Sequence, residues 1–197
     1  MGKVQTLFPK WYYHGEVEKH KHLKDMLLYE LGTAKLSQPS EWNCTMTSSF
    51  GSDTNDEDFS WQMFNNYISD NLREMTMQLG GKPTVNIKMS EAWLNVYKQG
   101  DYQEIHTHCG GDNCAFSCAY FVQYDPEKDG KFVFYDPSQD THQGYFSRHF
   151  PCTNTWFPDV NEGDIIIFPS YLHHQVSPHK NNTGTARITV SANFTIS

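Results

Sequence analysis

The chain has 197 residues, 38% hydrophobic and 15% aromatic, enough for one well-buried domain and short for two. Its 15 Lys and Arg against 23 Asp and Glu give a formal charge of -8, which repels phosphate backbones and anionic membrane surfaces and argues against nucleic acid as a direct ligand. The aromatic content excludes a disordered chain, and no apolar run approaches the roughly 20 residues of a membrane helix, so a soluble folded protein is expected.

Met1 to Gln5 has no apolar stretch behind a basic segment, so no export signal is expected, and the expected location is the cytoplasm, a host's if the chain is viral. Five Cys, three of them crowded as Cys109, Cys114 and Cys118 while Cys44 and Cys152 stand apart, make a poor disulfide framework; reduced thiols are expected. Val17, Leu23, Leu27 and Leu31 have helical spacing between about Glu16 and Leu31. From Phe59 onward Trp61, Phe64, Ile68, Leu72, Met75 and Leu79 step by three or four, which predicts a second amphipathic helix. Between them Ser48 to Asp58 repeats at neither period and reads as loop, and Gly80-Gly81 suits a left-handed cap on the second helix.

After Pro83 the character changes. Short segments rich in Val, Ile, Phe, Tyr and Thr predict strands at Thr84 to Tyr97, Cys114 to Tyr124, Lys131 to Tyr135, Asp164 to Phe168 and Ala186 to Ile196. Turn residues rather than helices connect them, which favours antiparallel pairing. The chain therefore reads as one domain, 1–197, with a mainly helical part over 1–82 and a β part over 83–197. The last strand alternates without a break: Arg187, Thr189, Ser191, Asn193 and Thr195 on one face, Ile188, Val190, Ala192, Phe194 and Ile196 on the other. The polar face either meets water or lines a barrel that holds a polar ligand, the helices then covering the apolar outside.

Ten His are many for this length. In an extended segment His106 and His108 can turn two imidazoles toward one metal ion, and a third ligand from a distant strand would close a facial site. His173 and His174 are adjacent, so at most one of them can point inward. The blander reading is ordinary surface or hydrogen-bonded His. A zinc site adding Cys109, Cys114 and Cys118 is disfavoured because no Cys-x2-Cys occurs.

Taken in order, Trp93-x-Asn95, Tyr97-Lys98-Gln99-Gly100, His106-Thr107-His108, Ser117-Cys118-Ala119-Tyr120-Phe121, Glu162-Gly163-Asp164 with the following run to Ser170, His174-Gln175-Val176 and Arg187-Ile188-Thr189 resemble a known family. They are similar to the Fe(II)- and 2-oxoglutarate-dependent oxygenases, in the branch of the prolyl 4-hydroxylases and a subgroup found in bacteria and bacteriophages. The resemblance, which extends to the helical part with Trp42, implies a double-stranded β-helix, a cupin-like jelly roll, with the helices packed on the outer face of its major sheet. It implies His106, His108 and His174 as metal ligands, and Arg187, Thr189, Tyr97 and Asn95 as residues that bind the co-substrate. His108 stands where the superfamily usually has Asp, so either the triad is three His or a carboxylate such as Asp112 completes it. Related enzymes often have Tyr where Phe121 falls, with Tyr120 the nearest substitute.

The activity implied is a hydroxylase using Fe(II), 2-oxoglutarate and O2: the co-substrate goes to succinate and CO2, and an unactivated C–H bond is hydroxylated. Three imidazoles would leave the full +2 on the metal and tighten an anionic co-ligand. The far carboxylate of 2-oxoglutarate calls for a bidentate cation, which Arg187 can supply and Lys cannot. The rival readings are a three-His cupin-type dioxygenase that does not use 2-oxoglutarate and a non-enzymatic jelly-roll binding module. A small-molecule or side-chain substrate is expected, with no nucleic acid and no membrane, and a homodimer is left open.

Overall fold

The computed structural model describes residues 3, 10–82, 84–109, 114–139, 148–149 and 153–197; Pro83, Asp112 and Cys152 lie outside them. The major sheet contains β1 (Tyr13–Glu16), β2 (Thr47–Ser48), β3 (Ile87–Tyr97), β5 (Phe116–Gln123), β8 (Asp164–Pro169) and β10 (Arg187–Ile196). Its order is β1-β8-β5-β10-β3-β2, and every pairing is antiparallel. The minor sheet, in the order β4-β9-β6-β7, contains β4 (Gln103–His106), β6 (Phe132–Tyr135), β7 (Thr155–Trp156) and β9 (His173–Val176).

The helices are α1 (His20–Leu31), the single turn α2 (Asn55–Asp58) and α3 (Trp61–Gln78). Helix α1 begins later than its apolar spacing suggests, because Lys19 takes a left-handed conformation with φ 60° that a helix cannot include. Tyr13–Glu16 pair with β8 instead, and Val17 is buried without being helical. The stretch read as loop, Ser48 to Asp58, holds the end of β2 and the turn α2. Helix α3 ends as expected: Gly80 has φ 71°, and Gly81 N–H donates to Thr76 C=O at 2.8 Å while Gly80 N–H donates to Met77 C=O at 3.0 Å, a Schellman closure. Among the described residues no helix is long and apolar enough to cross a membrane.

Strand alternation divides the apolar side chains between two cores. On the outer face of the major sheet Ala92, Leu94, Val96, Tyr120, Val122, Ile165, Ile167 and the apolar row of β10 pack against Leu23 and Leu27 of α1 and Phe64, Ile68, Leu72 and Met75 of α3. Each such side chain removed from water contributes on the order of 1.5–3 kcal/mol, so the helices are held as the sheet's outer cover. Between the sheets, Tyr97, Ala119, Phe121, Ile166 and Phe168 meet Phe132, Phe134 and Val176. The polar row of β10 faces this interior: Arg187 is 1% exposed, Thr189 3% and Asn193 6%. From Arg187 to Asn193 the polar face therefore lines the space between the sheets, with Ser191 half-buried, and Thr195 is partly exposed beyond it.

Candidate metal and co-substrate site

Two strands and one bend bring the His set together. His106 ends β4 and stands directly opposite His174 of β9 in the antiparallel register. His108 lies just past β4, its position held by its own N–H donating to Ser170 C=O at 2.9 Å. Ring centroids are 4.2 Å apart for His106 and His174, 5.2 Å for His106 and His108, and 5.0 Å for His108 and His174. One nitrogen from each ring can be chosen so that all three lie within 4.8 Å of one another, as ligands of one ion require.

The other nitrogen of each ring is occupied. Nδ1 of His106 lies 2.8 Å from Glu104 C=O and Nδ1 of His174 lies 2.8 Å from Leu172 C=O. A carbonyl only accepts, so both Nδ1 atoms carry the proton and both Nε2 lone pairs are left for a metal. His108 Nδ1 is 2.6 Å from Asn193 Oδ1, while Asn193 Nδ2 is 2.6 Å from Glu91 Oε1. The carboxylate also only accepts, so it takes the amide N–H2 and turns Oδ1 toward His108, which fixes the same tautomer a third time. Ser117 donates to that Oδ1 at 2.7 Å. This row is built by register, since Asn193 of β10 sits opposite Glu91 of β3 and Ser117 of β5, beside a bulge that separates Asn193 from Phe194.

Burial keeps the three imidazoles neutral. It lowers His106, brings His108 down to about 4, and lowers His174 well below the usual range, where the neighbouring rings add to the effect. Neutral imidazole is the form that ligates a metal.

Arg187 occupies the same narrow cavity as the His set, which Tyr97, Gln103, Phe168, Thr189 and Ser191 also line. It is paired across the sheet with Tyr97, and its guanidinium carbon lies 4.7 Å over that ring, 5.5 Å from the Phe121 ring and 5.7 Å from the Tyr124 ring. Its Nε and Nη1 are buried with no hydrogen-bond partner, and no carboxylate among the described residues pairs with it. A buried cation with unused donors is costly unless an anion completes it. The donor set thus fits a ligand carboxylate. Tyr97, pushed up to about 12 chiefly by burial, keeps its phenolic proton and donates it to Gln103 Oε1 at 3.0 Å.

Two residues named from the sequence lie elsewhere. Asn95 has its amide engaged by Ser48 at 2.9 Å and by Ser191 at 3.1 Å, so it braces the sheet beside the cavity rather than lining it. Tyr120 cannot replace a Tyr at Phe121, because strand alternation turns it to the outer core, where its hydroxyl meets His20 Nδ1 at 2.6 Å. The thiols do not join the His: Cys44, Cys109, Cys114 and Cys118 are free, and Cys118 packs in the outer core. Asp112 falls outside the described residues. Sequence reading missed Asn193, Gln103 and Tyr124 as neighbours of the site; only the polar row of β10 hinted at the first.

A family model described as 2OG-Fe(II) oxygenase matches residues 91–193, a span that contains every member of the His and Arg set. The chain belongs to the 2OG-Fe(II) oxygenase family. None of the curated proteins matches it in sequence. Among solved structures it is similar to a prolyl-4-hydroxylase of Pseudomonas putida, with TM-score 0.60 and 14% identity over 94% of this chain and 92% of that one. HygX of Streptomyces hygroscopicus, solved with nickel, 2-oxoglutarate and hygromycin B bound, gives 0.62 and 10% over 94% and 83%. A prolyl hydroxylase of Trichoplax adhaerens, in complex with a peptide fragment of the hypoxia inducible factor oxygen degradation domain, gives 0.58 and 12% over 93% and 83%. What these share with the chain is the fold, the double-stranded β-helix expected from the sequence. As a 2OG-Fe(II) oxygenase the chain is an enzyme that uses Fe(II) and 2-oxoglutarate, which sets aside the cupin-type dioxygenase and the binding module.

Proposed function

We propose that His106, His108 and His174 hold the catalytic Fe(II), and that Arg187, with Thr189 and Tyr97 beside it, holds the distal carboxylate of 2-oxoglutarate, for hydroxylation of a small-molecule or side-chain substrate. The observation that carries this reading is the triple fixing of Nδ1, which turns three Nε2 lone pairs toward one point, where the one contact is a long one of 3.5 Å from the Gln103 amide to His106. Bound together with O2, the metal and co-substrate supply the oxidative decarboxylation of 2-oxoglutarate to succinate and CO2 and the oxidising power for the C–H bond. The chain's own work is to bind and orient. Three ligands on one side of an ion leave positions open for a bidentate co-substrate and O2. Arg187 supplies a planar fork preorganised by three aromatic rings, and Tyr97 and Thr189 supply hydroxyl groups to the same end of the cavity. The formal charge of -8 supports a small molecule or protein side chain over nucleic acid as the substrate.

The test is anaerobic titration of the pure protein with Fe(II) and 2-oxoglutarate, read by the weak visible charge-transfer band of the chelated co-substrate. Replacing any one of His106, His108 or His174 by Ala should remove tight Fe(II) binding, a loss of several kcal/mol, with the circular dichroism spectrum retained. Asp112→Ala should leave Fe(II) affinity nearly unchanged. Retained affinity in His108→Ala together with its loss in Asp112→Ala would restore a two-His, one-carboxylate site.

A further inference from the structure

Outside the His set lies a second cavity, open to solvent, of about 460 Å³. His106 and His108 form part of its wall, so a molecule bound there would lie against the proposed metal. Its floor is aromatic. The Trp42 and Phe50 rings have centroids 4.6 Å apart, Phe50 and Trp93 5.2 Å, and Trp93 stacks at 5.8 Å on His108. Trp42 and Phe50 are only half-buried, so their faces are available to a ligand.

Its charged residues are Glu91 and Glu104, and no Lys or Arg lines it among the described residues. The two carboxylates are not equivalent. Glu91 spends Oε1 on Asn193. Glu104 accepts the Asn43 N–H on Oε1 at 3.2 Å, but its Oε2 is buried without any hydrogen-bond partner. A carboxylate oxygen removed from water and left unpaired is destabilising unless a donor, best a cation, completes it. Glu104 thus mirrors Arg187, with the opposite charge. Aromatic faces next to a carboxylate favour the same ligand, because the ring quadrupole attracts a positive charge.

We propose that the substrate carries a positively charged nitrogen, a guanidinium or an ammonium, which enters this cavity between the Trp42, Phe50 and Trp93 rings and the carboxylate of Glu104. The proposal rests on the Fe(II) and 2-oxoglutarate reading and adds the chemical class of the substrate to it. Glu91, exposed at the rim, adds a second negative charge along the approach. A neutral donor of the same shape would pair Glu104 Oε2 without balancing its charge, and an anionic group would be repelled.

The experiment uses the full chain, loaded anaerobically with Fe(II) and 2-oxoglutarate. It is titrated with N-acetyl-L-arginine amide and with its uncharged isostere N-acetyl-L-citrulline amide, following Trp fluorescence and the position of the visible band. The cation should bind at least about ten-fold more tightly. Glu104→Gln should reduce that preference to about two-fold or less while the band and the melting temperature persist, since the isosteric amide keeps the shape and removes the charge together with one acceptor. Tighter binding of N-acetyl-L-lysine amide with the same dependence on Glu104 supports the proposal with an ammonium head. Equal binding of the charged and uncharged probes, a preference unchanged in Glu104→Gln, or no binding of any probe up to its solubility limit overturns it. If the band forms normally in those cases, only the cation proposal fails. If no band forms in the native chain, the Fe(II) and 2-oxoglutarate reading fails and this one with it.

Discussion

The two faces of β10 do opposite things with one alternating sequence. On the outer face Ile188, Val190, Ala192 and Phe194 are buried among side chains of α1, α3, β3 and β5, a region held mainly by shape and apolar area. On the inner face Arg187, Thr189 and Asn193 are equally buried, yet Arg187 keeps two donors without partners and Asn193 is committed to His108, Glu91 and Ser117. A fold can hold such an unsatisfied face only if the other one carries its stability. The outer face should therefore set stability with little effect on ligands, and the inner face the reverse.

The outer face should yield the largest loss of stability. Phe194 is fully buried, and Phe194→Ala should lower unfolding free energy by about 3–5 kcal/mol, read by chemical denaturation. Fe(II) affinity of the fraction that remains folded should hold. A matching loss of metal affinity would mean that the bulge between Asn193 and Phe194 transmits packing defects to the site.

Next in size is Arg187→Lys, which keeps the charge and loses the fork. It should raise the 2-oxoglutarate requirement by roughly ten-fold to a hundred-fold, at about 1.4 kcal/mol per decade, with Fe(II) binding and melting temperature unchanged. Unchanged 2-oxoglutarate affinity would remove Arg187 from the co-substrate site.

Third is Asn193→Ala, which removes the group that fixes the His108 tautomer. Loss of such an outer partner typically weakens metal binding by roughly ten-fold to a hundred-fold, and the low end is expected here because Ser170 still holds the His108 backbone. Calorimetric titration with Fe(II) under argon would measure it. The buried neutral His set also gives a pH dependence. Its members have folded pKa values below the unfolded one, so the unfolded chain binds more protons below about 6.5 and apo stability should fall as pH drops from there toward 4. Metal loading should protect against this fall.

How much of this was legible in the sequence differs between the two faces. The alternation of β10 and the three-to-four spacing of α3 are local, and they show the outer row of β10 and the buried face of α3, except that Leu79, past the end of the helix, is exposed. The inner site depends on register between distant segments. His108 and Asn193 are 85 residues apart, and nothing local says that they meet. The short strands β1, β2, β4, β7 and β9 have 2 to 4 residues each, too few for a period to show. His174 and Arg187 were reachable only because their order along the chain resembled a family. Asn95 and Tyr120 mark the limit of that route, since order alone says nothing of what already engages an amide or of which face a Tyr takes.

His173 and His174 are neighbours in β9, so they share a backbone, a pairing partner strand and nearly the same local composition. Alternation alone separates them: His174 is 4% exposed and stands among the His rings, whereas His173, opposite Tyr135, is half-buried on the other face of the minor sheet. His173→Gln should therefore change Fe(II) affinity by less than about two-fold and stability by no more than about 0.5 kcal/mol, as for an ordinary surface substitution. The same change at His174 should abolish tight Fe(II) binding. If His173→Gln abolishes Fe(II) binding and His174→Gln leaves it intact, β9 presents its opposite face to the interior, and the assignment of the inner face fails with it.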